Sequence, residues 1–241
     1  MNGDLPLGEI WEAFYIQGYQ VGVLNRTTAP AIDLPNVLMS RLQVVLIMAG
    51  EITGYEHVYY FYNRAGFPSH SYLFDAGQGA PVHVRFVEGQ MICQVDDDIS
   101  TENISDDARP SYGYYPLVVT IPFTPDYRVP FTRVDDASCS VEGPAQFVSY
   151  GWEPVILQGE RLSLWRVDEY ARDRLTNQYW LDETRRIRQS KWLGAVSHWV
   201  PTKEEALAGF STKWVTAVTK MFENSTKIDW SSEVISWLTD K

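Results

Sequence analysis

The side chains of this chain that could do acid–base or metal chemistry are few. They include four histidines, His57, His70, His83 and His198, and the carboxylates Glu153, Asp168 and Asp182. Metal sites need convergent ligands at defined spacing. The histidines form no His-x-x-x-His pattern and the two cysteines, Cys93 and Cys139, no Cys-x-x-Cys, so no metal site is expected. Asp96, Asp98 and Ser100 begin like a calcium loop, but Thr101 stands where the loop needs Gly and Asp107 where it needs Glu. There is no Gly-x-Ser-x-Gly elbow, no phosphate-binding loop and no Gly-x-Gly-x-x-Gly turn, which sets aside nucleotide and dinucleotide enzymes. No cofactor is expected. The three carboxylates remain candidates for a glycosidase-type pair, whose members can come from distant strands.

A second kind of chemistry rests on the aromatic content, with 9 Trp, 14 Tyr and 10 Phe. Tyr and Trp join a large apolar body to one polar handle, which suits the wall of a ligand pocket. Holding a flexible substrate in a reactive fold can remove up to about 7–11 kcal/mol from a barrier without metal or nucleophile. On this reading Tyr59, Phe61, Trp165 and Trp180 form the walls, and His57, Tyr60 and Arg166 polarise a carbonyl as charge develops. The function expected is a cofactor-independent cyclase or isomerase acting on a hydrophobic metabolite. The alternatives are a non-catalytic carrier or sensor of a lipid or apolar metabolite, and a structural or interaction module.

The elements that must position these residues are strands. From Trp11 to about Trp199 apolar residues recur at spacing two, in runs broken by Gly, Pro, Asn and Asp. The predicted strands are Trp11 to Ile16, Tyr19 to Thr27, Arg41 to Met48, Tyr55 to Tyr62, Ser69 to Phe74, Val82 to Glu88 and Met91 to Val95. Asp96 to Pro116 reads as a long surface loop, and its tyrosines suggest a lid over a pocket. Strands resume at Leu117 to Phe123, Val129 to Val134, Ala145 to Tyr150, Glu153 to Leu157, Arg161 to Glu169, Asn177 to Glu183 and Arg185 to Leu193. Short connections make sequence neighbours antiparallel neighbours. After Trp199 the period changes. Thr202 to Glu205 forms a capping box, Leu207, Phe210, Trp214, Val218 and Met221 make one helical stripe, and a second helix is predicted from Trp230 to Leu238. The fold expected is mainly β: one domain over 1–241, with an antiparallel meander over 11–199 forming a barrel or half-barrel, and two C-terminal α-helices within 202–239 that close one end or cover one sheet face.

Composition bounds the partners. A formal charge of -11 repels nucleic acid and anionic bilayers. No apolar run approaches the roughly 20 residues of a spanning helix, so no membrane insertion is expected. A hydrophobic small molecule is the partner expected, and a homodimer is compatible with the sequence. Met1 to Glu9 has no Lys, no Arg and no apolar stretch, which points to a cytoplasmic protein with two reduced thiols, although Cys93 and Cys139 could form one bridge.

The Gly18-Tyr19-Gln20-Val21-Gly22 hairpin, the long meander after it and the late pair Trp165 and Trp180 resemble lipocalin-like and half-barrel β proteins. The lipocalin Gly-x-Trp box is not matched, because Gly8-Glu9-Ile10-Trp11 has one residue too many. Some proteins of this shape carry lipids, and some bacterial ones are cofactor-independent cyclases that fold a linear polyketide for a [4+2] closure. The resemblance implies either activity and assigns no residue a role.

Overall fold

Tight two-residue turns set the register of the meander. At Gln17–Gly18 both residues have positive φ, 52° and 81°, the geometry that matches the twist of two antiparallel strands. The computed structural model describes residues 7–31, 37–61, 68–75, 80–111 and 113–225. The strands are β1 Gly8–Ile16, β2 Tyr19–Pro30, β3 Leu38–Met48, β4 Glu51–Phe61, β5 Pro68–Asp75, β6 Val82–Val87, β7 Gln90–Val95, β8 Asp98–Asn103, β9 Ala108–Pro110, β10 Arg128–Asp135, β11 Ser140–Leu157, β12 Glu160–Ala171, β13 Arg174–Leu181, β14 Ile187–Trp192 and β15 Ala195–Val200. The helices are α1 Tyr114–Thr120, α2 Lys203–Leu207 and α3 Thr212–Ser225.

All the strands lie in one sheet, ordered β8-β7-β6-β5-β4-β3-β2-β1-β15-β14-β13-β12-β11-β10-β9. Two meanders are thus joined back to back by the first and last strands, with Trp11 opposite Val200 and Ile16 opposite Ala195. The two ends of this order, β8 and β9, are separated by only residues 104–107. So short a link cannot span a flat sheet of this width, because extended chain covers about 3.3–3.6 Å per residue and neighbouring strands stand about 4.8 Å apart. The sheet must curl until its ends approach.

Side chains, and no described ladder, join those ends. Val84, Phe86, Met91 and Cys93 from β6 and β7 pack with Ala108 and Val134 from β9 and β10. Cys93 and Cys139 form a disulfide across the seam, with Cα atoms 6.0 Å apart. The buried Asp136 carboxylate accepts from Tyr59 Oη at 3.0 Å and Ser71 Oγ at 2.8 Å. The result is a half-barrel with a clasped seam, in keeping with the antiparallel meander expected from the sequence. The two cysteines are bonded, which corrects the expectation of reduced thiols: curling brings together residues 46 apart in sequence.

Three local expectations also change. The surface loop expected over Asp96 to Pro116 contains β8 and β9, and β9 pairs parallel to β10, the one parallel pair among the described strands. Leu117 to Phe123, predicted as a strand, belongs in part to α1, whose seven residues are all buried. An apolar run this short has the same pattern in a strand and in a buried helix. Ala145 to Tyr150 and Glu153 to Leu157 are one long strand, β11, continued through an irregularity between Ser149 and Gly151.

The C-terminal helices cover one sheet face. Thr202 caps α2 by accepting from the Glu205 backbone N–H at 3.2 Å, as the capping box predicts. The stripe from Leu207 to Met221 is split by Ala208 to Ser211 into α2 and α3. Together they bury Leu207, Val218 and Phe222 against Trp11, Val23, Val45 and Val200. Contact is close at Gly54 of β4, where a Cβ would stand 2.7 Å from Met221 Cε. The helix expected at Trp230 to Leu238 lies outside the described residues.

Candidate functional site

Strand alternation sorts the sheet into two faces. On the concave face β1 and β2 present Glu12 and Arg26, β3 presents Leu38, Ser40 and Leu42, and β4 presents His57, Tyr59 and Phe61. From the other meander come Phe131, Phe147, Trp165, Glu169 and Tyr179. Helix α1 sits between them: Tyr114, Tyr115, Leu117, Val118 and Val119 share one buried cluster with Phe131, Phe147, Trp165 and Leu181, and Leu38 packs against it. The inner plug is therefore α1, whereas the C-terminal helices lie on the convex side. Its C-terminal end is tied by Arg185, which donates to Val119 O at 3.2 Å and Ile121 O at 2.7 Å, while Gly113 at its start offers no side-chain cap.

Within this aromatic interior lies a buried set of charged and phenolic groups. Arg133 pairs with Glu142 and with Glu169, the latter at 3.1 Å, and Asn177 also donates to Glu169. Burial pushes the Glu169 carboxyl up, opposed by Asn177 and by Arg133. Burial likewise raises Glu12, which accepts from Ser197, itself hydrogen-bonded to Ser190 at 2.7 Å. Arg26 lies over the Tyr115 ring at 4.5 Å and donates through Nη1 to Ser40 Oγ at 3.3 Å. Tyr179 is raised well above the ordinary phenol range, first by burial and then by Glu169. Burial holds His57 down at about 3, helped by the positive charge of Arg26, so its imidazole is neutral at physiological pH. Among the described residues, Arg26 Nε, Tyr114 Oη and Asp136 Oδ1 are buried without a hydrogen-bond partner. Such orphans are costly in an apolar interior, and each asks for a water or a ligand atom.

The residues singled out from sequence fall into three places. His57, Tyr59 and Phe61 stand together on the concave face of β4, with ring centroids 5.6 Å and 6.2 Å apart along the row. Trp165 reaches the same interior from β12, donates to Ser149 Oγ at 2.7 Å and stacks on Phe123 at 5.0 Å. Tyr60 points to the other face of β4, into a cluster with Val37, Val58 and Tyr72, where burial raises its hydroxyl to about 12. Arg166 and Trp180 form a convex pair opposite one another in register. Arg166 donates to both Asp168 oxygens at 2.8 and 2.6 Å, and Trp180 donates to Glu153. The structure does not bring Tyr60, Arg166 or Trp180 to His57.

Glu12, Arg26, Arg133, Glu169 and Tyr179 are the interior groups that sequence reasoning missed. A polar residue alternating with apolar ones reads as a solvent-facing position. The available signal was that both faces of these strands carry large apolar residues, as in Tyr55 to Phe61, leaving no face to water. At the rim, a cleft of about 610 Å³ is lined by Trp152, Leu162, Leu164, Asp182, Thr184 and Arg188, and Trp152 meets Trp165 edge-on at 5.5 Å.

No protein-family model matches the chain, and no curated protein matches it. Among solved structures, the chain is similar to a β-barrel-like protein of domain of unknown function DUF1849 from Brucella abortus, with 8% identity over 81% of this chain and 95% of that one and a TM-score of 0.50. A putative exported protein with a YmcC-like fold from Bacteroides fragilis matches with 11% identity over 81% of this chain and 95% of that one, TM-score 0.27. The hypothetical lipoprotein YmcC from Escherichia coli matches with 11% identity over 83% and 89%, TM-score 0.31. The Brucella likeness is one of fold, a β-barrel-like architecture.

Proposed function

We propose that this chain binds a hydrophobic small molecule against the concave face of its half-barrel and acts as a carrier or sensor. The observation that carries the reading is the set of orphaned polar atoms, Arg26 Nε, Tyr114 Oη and Asp136 Oδ1, inside an interior walled by aromatic and aliphatic side chains. An apolar enclosure with a few unsatisfied polar groups is what a pocket presents to a ligand with an apolar body. Access is by displacement of α1, which is anchored at its C-terminal end by Arg185 and uncapped at its start.

A carrier fits this geometry better than a cyclase. Cyclisation needs polar groups converging on one reacting atom, whereas Tyr60 and Arg166 face away from His57. The Cys93–Cys139 bond favours an oxidising compartment over the cytoplasm.

Titration with N-phenyl-1-naphthylamine, a neutral fluorophore that brightens in apolar surroundings, tests the reading. The expected result is saturable binding at one site per chain, with energy transfer from tryptophan. Absence of saturable binding would overturn it.

A further inference from the structure

We propose that the bound molecule is a carboxylate-headed amphiphile whose head is received by Arg26; this rests on the concave-face reading above.

Arg26 and Arg133 both face this interior, and they are treated differently. Arg133 is neutralised twice, by Glu142 and by Glu169. Arg26 is 8% exposed and forms no ion pair among the described residues. Its Nη1 makes one long hydrogen bond to Ser40 Oγ, the Tyr115 ring lies beneath its plane at 4.5 Å, and Nε has no partner. Glu12 is the carboxylate whose field it feels, but Glu12 accepts from Ser197 and is driven by burial toward its neutral form. An uncompensated buried guanidinium is strongly unfavourable, and its planar fork is shaped for a carboxylate.

The neighbouring residues say what the rest of the ligand is. Leu42 stands opposite Arg26 in register, and Phe14, Leu24, Leu42 and Val44 continue the concave face as one apolar cluster, joined by Tyr55 and Trp192. One guanidinium beside one apolar run matches a monoanion with an aliphatic tail. A phosphate dianion would call for a second cation, and Arg133 is already paired with Glu142 and Glu169. The chain's net charge of -11 repels anions at long range, so any preference for an acid must come from a local site.

The experiment displaces bound N-phenyl-1-naphthylamine with dodecanoate, methyl dodecanoate, dodecanol and dodecyl phosphate, on the wild type and on Arg26→Gln. On the wild type, dodecanoate should displace the probe at a concentration at least about tenfold below that of its methyl ester or the alcohol. Arg26→Gln should erase that ratio. Equal displacement by acid, ester and alcohol overturns the proposal, as does a ratio that survives Arg26→Gln or a tighter dodecyl phosphate. Failure of the probe itself to bind would instead overturn the concave-face reading. The wild-type ratio decides the matter even if near-ultraviolet circular dichroism finds Arg26→Gln unfolded.

Discussion

Reducing the Cys93–Cys139 bond should destabilise the chain by an amount set by the loop it closes. The two residues are 46 apart in sequence, and loop-closure entropy for that separation is worth about 4 kcal/mol at 25 °C. For a domain of this size each kcal/mol moves the melting temperature by roughly 2–4 °C, so the midpoint should fall by about 8–16 °C on reduction. Guanidinium denaturation with and without a phosphine reductant measures the difference, and thiol titration before and after reduction counts the sulfurs. The expected result is no reactive thiol in the oxidised protein, two after reduction and a loss of several kcal/mol. Amide exchange should rise first in β6, β7 and β10, because the seam there is held by side chains. Two reactive thiols in protein made under oxidising conditions, or a loss below about 1 kcal/mol, would refute the reasoning that the bond clasps the two ends of one sheet.

Four further outcomes follow from buried groups. Burial lifts Asp136 from 3.8 to about 6 despite hydrogen bonds from Ser71 and Tyr59; its stabilising contribution, about 3 kcal/mol, is complete below pH 3.8 and lost as pH rises through 6. Asp136→Asn, which keeps an acceptor for Tyr59 and Ser71, should flatten that slope in urea titrations between pH 4 and 7, and an unchanged slope would contradict it. His57 moves the other way: its pKa is lowered from 6.5 to about 3, so its contribution is present above pH 6.5 and lost as pH falls toward 3. Wild type should therefore lose up to about 1.4 kcal/mol per pH unit relative to His57→Phe across that window, measured by the same titrations. Glu169→Ala leaves Arg133 without its buried partner and should cost about 3–5 kcal/mol by chemical denaturation, more than Glu169→Gln. Phe222→Ala removes the ring that meets Trp11 edge-on at 5.3 Å and should cost about 3–5 kcal/mol, read as a shifted midpoint with quenched Trp11 emission.

Much of the meander was legible because turn chemistry and period-two patterning are local. At Gln17–Gly18 and Gln158–Gly159 both residues take positive φ, and each pair closes a hairpin between strands that the sequence places side by side. Thr202 to Glu205 announced the helix start for the same reason. Leu117 to Thr120, read as the start of a strand, belongs to α1, because so short an apolar run carries too few turns to separate a buried helix from a strand. The Cys93–Cys139 bond stayed open between two readings because the approach of the two residues depends on the curvature of the whole sheet. The interior cluster escaped similarly: Glu12 and Arg26 come from the first hairpin and Glu169 from the distant β12, and each alone looks like a solvent-facing charge. His57, Tyr59 and Phe61 share the inward face of β4, whereas Tyr60, Arg166 and Trp180 were misgrouped with them, since alternation alone does not say which face is inward.

A crystal structure with 12-bromododecanoate would show whether the concave face holds an amphiphile. An anomalous bromine peak is expected within the concave face among Phe14, Leu42 and Trp192, with the carboxylate on Arg26 and α1 displaced. A peak only in the rim cleft beside Trp152, or no ordered ligand with α1 still seated on Arg26, would contradict it.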